Sequence, residues 1–196
     1  MGPRPLFVAF GIPVAVDPFF IFGALLVGAW APDGFEVHYV VAMVVFTVIH
    51  EFGHALTAKS LGSRPAIVIT FLGGYASYAP TAKMTTRHYL LVSLMGPLTQ
   101  LVVALPVGYF AFERFLGASS YEEYRSTLGL FSAVMWAGIF LAFLNLLPFW
   151  PLDGGHIVSR LAQRVLGVRA AATVAFARFT ALDSAITSVA GLRGFL

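Results

Sequence analysis

Residues 48–57, Val-Ile-His-Glu-Phe-Gly-His-Ala-Leu-Thr, set two histidines and a glutamate inside a long apolar run. Left unpartnered in hydrocarbon, each would cost on the order of several kcal/mol, so something must compensate. His50-Glu51-Phe52-Gly53-His54 has the H-E-x-x-H spacing. On a helix, positions i and i+4 share a face, with Cβ atoms about 6 Å apart. Two imidazoles so placed can converge on one zinc ion at about 2.0–2.1 Å. Glu51, beside the first imidazole, can reach a zinc-bound water as general base, and zinc lowers the pKa of that water towards about 7. The competing reading is two histidines hydrogen-bonded in the bundle interior with Glu51 as their partner.

A catalytic zinc takes a third protein ligand and keeps its fourth position open. The chain has no cysteine, so the donor must be His, Asp or Glu. The candidates are Asp17, Asp153, Asp183, His38, His88 and His156. His38 precedes His50 by over three helical turns, about 18 Å, and is excluded. Asp153 is favoured because Asn-Leu-Leu-Pro-Phe-Trp-Pro-Leu-Asp-Gly-Gly, residues 145–155, begins at the inner end of another apolar span. His156 is the runner-up, and Asp17 would have to reach in from the first span. Pro148 and Pro151 end the helix and leave carbonyls without intrahelical partners. Gly154 and Gly155 let the backbone turn sharply under Asp153. Asn145 is a costly polar group within the span. Its amide could bind a substrate carbonyl or a developing oxyanion, or form an interhelical hydrogen bond.

The elements that must position these residues are apolar. The 196 residues are 59% hydrophobic and 11% charged, against about 25% charged in an ordinary soluble domain. Runs of about 20 apolar residues can cross a bilayer as helices, which makes this an integral membrane protein. The length suits one domain over residues 1–196. The first run covers Leu6–Ala31 and is broken by Pro13, Asp17 and Pro18, so its helix should begin near Pro18 after a short extended lead-in. Val37–Leu61 carries the quoted motif. Tyr89–Phe112 contains Gly96, Pro97 and Pro106 and should be kinked. Leu128–Phe149 has no charge and is the cleanest span. Residues 156–169 read as a basic interfacial amphipathic helix, and 171–196 as a fifth span or a surface helix. The fold class is therefore an all-α polytopic bundle of at least four, and up to six, transmembrane helices with a small membrane-associated β-hairpin.

That hairpin is read from Ala-Ile-Val-Ile-Thr-Phe-Leu-Gly-Gly-Tyr-Ala-Ser-Tyr, residues 66–78, whose β-branched and aromatic residues alternate around a tight turn at Gly73-Gly74. Its edge could receive an unwound substrate as an added strand, and a proline at Ile69 would test that edge. Charge sets the orientation. Lys59, Arg64, Lys83 and Arg87 lie on one connection without an acid, and Arg160, Arg164 and Arg169 follow the fourth span. The positive-inside rule puts both segments, with the inner ends of the second and fourth spans, in the cytoplasm of a cell membrane. The net charge of +3 is no nucleic-acid footprint. Met-Gly-Pro-Arg-Pro is a poor start for a cleavable signal, so the N-terminus is expected to be retained.

Together, the HEFGH motif in one span and N-x-x-P-x-x-P-L-D-G at the end of another resemble the site-2 protease family of intramembrane zinc metalloproteases. Phe-Gly-Ile-Pro-Val-Ala-Val-Asp-Pro-Phe-Phe resembles the family's opening segment, Phe-Leu-Gly-Gly-Tyr-Ala-Ser-Tyr its glycine-bearing hairpin, and Leu-Met-Gly-Pro-Leu-Thr-Gln-Leu its G-P-x-x-N element. The resemblance implies that His50, His54 and Asp153 bind one Zn2+ per chain, that Glu51 activates water, and that Asn145 positions substrate or stabilises the oxyanion. Gly73 and Gly74 would contact the substrate, a membrane-spanning protein cut near the cytoplasmic leaflet. Gln100 stands where the family often has Asn, and Asp17 where a histidine is common. No PDZ or CBS module is recognisable. The rival reading is a metal-binding membrane scaffold or transporter without protease activity. It is disfavoured because there is no internal repeat and because metal storage has no need of Glu51.

Overall fold

The structure, a computed structural model, describes residues 5–70, 73–78 and 84–166. Three of its helices are long and apolar enough to cross a membrane. They are α2 (Glu36–Ser60), α3 (Thr86–Leu116) and the continuous 25-residue helix Tyr121–Asn145. The last comprises α4 (Tyr121–Ala133), a π-helical segment (Val134–Phe140) and α5 (Leu141–Asn145). A shorter apolar helix, α1 (Phe20–Trp30), precedes them. At 1.5 Å per residue its 11 residues cover about 16 Å, roughly half the hydrocarbon thickness. The amphipathic α6 (Asp153–Leu166) follows.

The bundle inverts a soluble core. Large apolar side chains such as Leu25, Val41, Val102, Leu105 and Phe110 point outward, as a hydrocarbon solvent permits. The interior is made of small residues, with Ala42, Ala104, Ala133 and Ala137 packed around Phe46, Tyr39 and Val134. Small side chains let the helices approach closely. On α2 the buried stripe runs Tyr39, Ala42, Met43, Phe46, His50, Gly53 and His54, the three-to-four spacing of one helix face. The same stripe that carries the core therefore carries the two histidines into it.

The chain folds a larger sheet than the expected hairpin. β1 (Phe7–Ala9), β2 (Ile12–Val16), β3 (Pro65–Thr70) and β4 (Gly73–Tyr78) form one sheet in that order. The outer pairs are antiparallel and β2–β3 is parallel. Ile12, Val14, Ile67 and Ile69 pack with Ala55, flanked by Val48 and Phe52 of α2, so the sheet is fastened to the face of α2 beside the histidines. The hairpin is present, but its turn is not at Gly73-Gly74. Thr70 pairs with Gly73, which puts both glycines in β4. Ile69 pairs with Val16 on one side and Gly74 on the other. It is interior, and a proline there would break the sheet rather than an edge. Among the described residues, the free edge near the bundle is β4.

One further expectation holds and one shifts. The first apolar run is a strand pair before it is a helix, consistent with the extended lead-in. The fourth span ends at Asn145 rather than Phe149, because Pro148 lacks the N–H needed to continue the ladder. Residues 171–196 lie outside the described residues.

Candidate metal centre

α2, α3, α5, α6 and β4 enclose a cavity of about 440 Å³ whose walls include His50, Glu51, His54, Asn145 and Asp153. His50 and His54 are 7% and 8% exposed, and Glu51 is 4% exposed. The two Nε2 atoms stand 3.0 Å apart. Asp153 brings Oδ2 to 3.0 Å from His50 Nε2 and Oδ1 to 3.3 Å from His54 Nε2. Chain separation of a hundred residues is thus reduced to contact distance, by the break after Asn145 that returns the backbone as α6.

Helix α6 can start so close only because its second and third residues are glycine. A Cβ on Gly154 would meet Leu146 O at 2.1 Å, and one on Gly155 would meet Phe149 O at 2.4 Å. Neither glycine has a positive φ. The requirement is room against backbone, not the sharp turn expected from sequence.

The proton positions decide what this cluster can hold. His50 Nδ1 lies 2.7 Å from Gln100 Oε1, and the Gln100 Nε2 amide donates to Ala137 O at 2.7 Å. That second bond fixes which way the amide points, so Nδ1–H of His50 donates to it. His54 Nδ1–H donates to Val92 O at 2.7 Å. With Nδ1 of each ring so engaged, the neutral form of each imidazole presents a bare Nε2 to the cavity. Two nitrogen lone pairs and a carboxylate then converge with no donor among them, which is repulsive unless a cation sits between. Bonds of about 2.0–2.1 Å in tetrahedral array put ligand atoms about 3.3 Å apart, close to the separations found. The donor set and its spacing fit zinc.

Glu51 lines the same cavity. Its Oε2 is buried without a hydrogen-bond partner, while the Ala76 backbone of β4 bonds the carboxylate. Gly74 makes that approach possible, since a Cβ there would lie 2.7 Å from Glu51 Cγ. A buried carboxylate oxygen left bare is costly. Proton acceptance from a bound water is a function that needs it bare.

The other candidates have different duties. Asp17 accepts from Phe19 N at 2.8 Å and starts α1. His88 accepts from Thr85 N at the start of α3. His38 lies against Phe35 and Gly129. His156 lines the cavity but does not join the three converging donors. Gly74 also lines it, and Asp183 lies outside the described residues. Gln100, marked in the sequence only as a polar residue inside a span where the resembled family often has Asn, is 3% exposed and sets the orientation of His50. Gln100→Leu should leave the fold intact and weaken metal binding by about 10- to 100-fold, the usual effect of losing a partner to a ligand. Competition titration against a chromophoric chelator would measure it, and undiminished affinity would show that Gln100 does not orient the ligand.

Residues 117–182 match the model of peptidase family M50. Rip2 of Mycobacterium tuberculosis, named as a candidate zinc metalloprotease, is 32% identical over 157 residues, 62% of this chain and 56% of that protein. A zinc metalloprotease of Methanocaldococcus jannaschii is 23% identical over 166 residues, 83% of this chain and 46% of that protein. Stage IV sporulation protein FB of Bacillus subtilis is 26% identical over 125 residues, 63% and 40% of the two chains. The chain thus spans about two fifths to just over half the length of these relatives. The fold matches the solved site-2 protease from Methanocaldococcus jannaschii with a TM-score of 0.63 at 22% identity, covering 95% of this chain and 83% of that one. The family model, these relatives and the fold agree in what they resemble: the chain is similar to zinc metalloproteases of peptidase family M50 and shares the fold of a solved site-2 protease.

Proposed function

We propose that this integral membrane protein is an intramembrane zinc metalloprotease that hydrolyses a peptide bond in or near the transmembrane segment of a membrane-anchored protein, close to the cytoplasmic face. One observation carries the reading. Two imidazole nitrogens and a carboxylate converge in a buried cavity beside a carboxylate oxygen that has no partner. His50, His54 and Asp153 would hold one zinc per chain, and the single domain 1–196 would supply every ligand. When bound, zinc supplies Lewis acidity, making a water nucleophilic near neutral pH and polarising a carbonyl.

The chain's own groups do the rest. Glu51 accepts a proton from the attacking water and returns it to the leaving amine, so the peptide C–N bond is replaced by a carboxylic acid and a free amine. Asn145, at the end of α5 and on the cavity wall, directs its amide at the scissile carbonyl, where negative charge develops. A substrate helix hides its amides in intrahelical bonds and must unwind before attack. The free edge of β4, with Gly74 and Ala76 beside the cavity, offers main-chain partners to the unwound segment. Thr47, Ser93 and His156 make part of the lining polar, which lets water reach a site inside a hydrophobic bundle. The basic connections flanking the inner helix ends support the cytoplasmic orientation.

Metal removal tests the reading. Purified protein should contain about one zinc per chain and cut a single-span model substrate. Dialysis against 1,10-phenanthroline should abolish cleavage, and zinc should restore it. Stoichiometric zinc without cleavage of any single-span substrate would favour the scaffold or transporter instead.

A further inference from the structure

Resting on the protease reading, we propose that Arg160 selects an acidic side chain in the substrate, about three residues from the bond that is cut. Asp153, His156 and Arg160 fall at i, i+3 and i+7 of α6, one helix face, and all three line the cavity. Asp153 is taken by the metal centre. Arg160 has no part in the chemistry, yet it is the one arginine or lysine among the described residues that line this cavity. Its guanidinium lies 4.1 Å from the centroid of the Tyr89 ring on α3. Stacking of this kind holds the cation in place without using its in-plane N–H donors. The side chain is exposed, so a fork of donors is presented at the mouth of the site rather than sealed in its wall.

The geometry fixes where the partner should fall. Seven residues of helix separate Asp153 from Arg160, about 10 Å along the axis. An extended peptide covers that span in about three residues at 3.3–3.6 Å each. A planar guanidinium recognises a carboxylate bidentately, and an exposed pair of this kind discriminates by about fivefold. The chemistry recognised is a Glu or Asp side chain of an extended peptide, and the cationic site disfavours Lys at the same position.

The test uses the full chain, loaded with zinc and carrying Glu51→Gln so that bound peptide is not consumed. It is held in phosphatidylcholine bicelles. Single-span peptides with Glu, Gln or Lys walked through five positions on each side of the scissile bond are titrated by fluorescence anisotropy. Glu at one position near the third residue should bind about fivefold tighter than Gln, and Lys more weakly than either. Arg160→Gln should flatten that ranking, Arg160→Glu should invert it, and Arg160→Lys should retain it. Zinc content and thermal midpoint establish that each variant is folded. A ranking unchanged by Arg160→Gln and Arg160→Glu overturns the proposal. So does affinity that follows added phosphatidylglycerol rather than peptide charge, which would make Arg160 a lipid contact. If the ranking holds while the parent enzyme cuts none of the peptides, the charge recognition stands and the protease reading falls.

Discussion

Glu51→Gln should retain one zinc per chain and lose about a thousandfold or more in kcat, while the folded protein becomes no less stable. The substitution keeps the shape of the side chain, so the contacts with Gly74 and the Ala76 backbone survive in outline. It removes the ability to accept a proton. General bases contribute about 10²- to 10⁴-fold, and a thousandfold loss corresponds to about 4 kcal/mol of transition-state stabilisation. Stability should move the other way, because the parent buries a carboxylate with one oxygen bare. A neutral amide is cheaper to bury than an ionised carboxylate. Loss of activity with an unchanged or raised melting temperature is the signature of a group kept for chemistry and not for folding. Single-turnover cleavage alongside metal analysis measures both. A variant that cuts within tenfold of the parent would remove Glu51 from the proton-transfer step.

The same physics explains what could be read from the chain and what could not. His50 and His54 lie four residues apart on one helix, so their convergence is local and visible in the spacing. Asp153 was visible for another reason. Prolines and glycines mark where a helix must stop, and an acid just past the stop has few other places to go. Gln100 was invisible in its role because its partner is fixed by which face of α3 meets α2, and that is a property of the assembled bundle. The sheet failed for a related cause. β2 and β3 pair in parallel across all of α1 and α2, and no short pattern announces a pairing so distant in sequence. Gly73 and Gly74 misled because glycine commonly marks a turn. Here Gly74 serves the other use of glycine, the close approach of a backbone to a functional side chain. The strand position was masked by the very residue that makes it useful.

Gly96 carries that logic to its largest consequence. It sits on α3 one turn after Val92, the residue whose carbonyl anchors His54. A Cβ at this position would lie 2.2 Å from His54 Nε2 and 2.3 Å from its Cε1. The imidazole cannot swing away freely, since Nδ1 is tied to Val92 O and the His50 ring stands 4.7 Å off, centroid to centroid. Gly96→Ala should therefore displace the ligand nitrogen from the point where the three donors meet. Metal affinity should fall by at least about 100-fold, the scale on which even outer partners of a ligand matter, and cleavage should fall with it. Destabilisation of α3 does not account for such a loss, because alanine favours an interior helical position by about 1 kcal/mol over glycine. Gly108→Ala is the control on the same helix. Its nearest neighbours, Val134 Cγ1 at 3.5 Å and Ile139 Cδ1 at 3.9 Å, are at ordinary contact distance, so metal content and cleavage should persist. Circular dichroism separates folding from ligation, and zinc titration of both variants reads the effect. Full zinc and full activity in Gly96→Ala would mean that His54 does not occupy the position assigned to it.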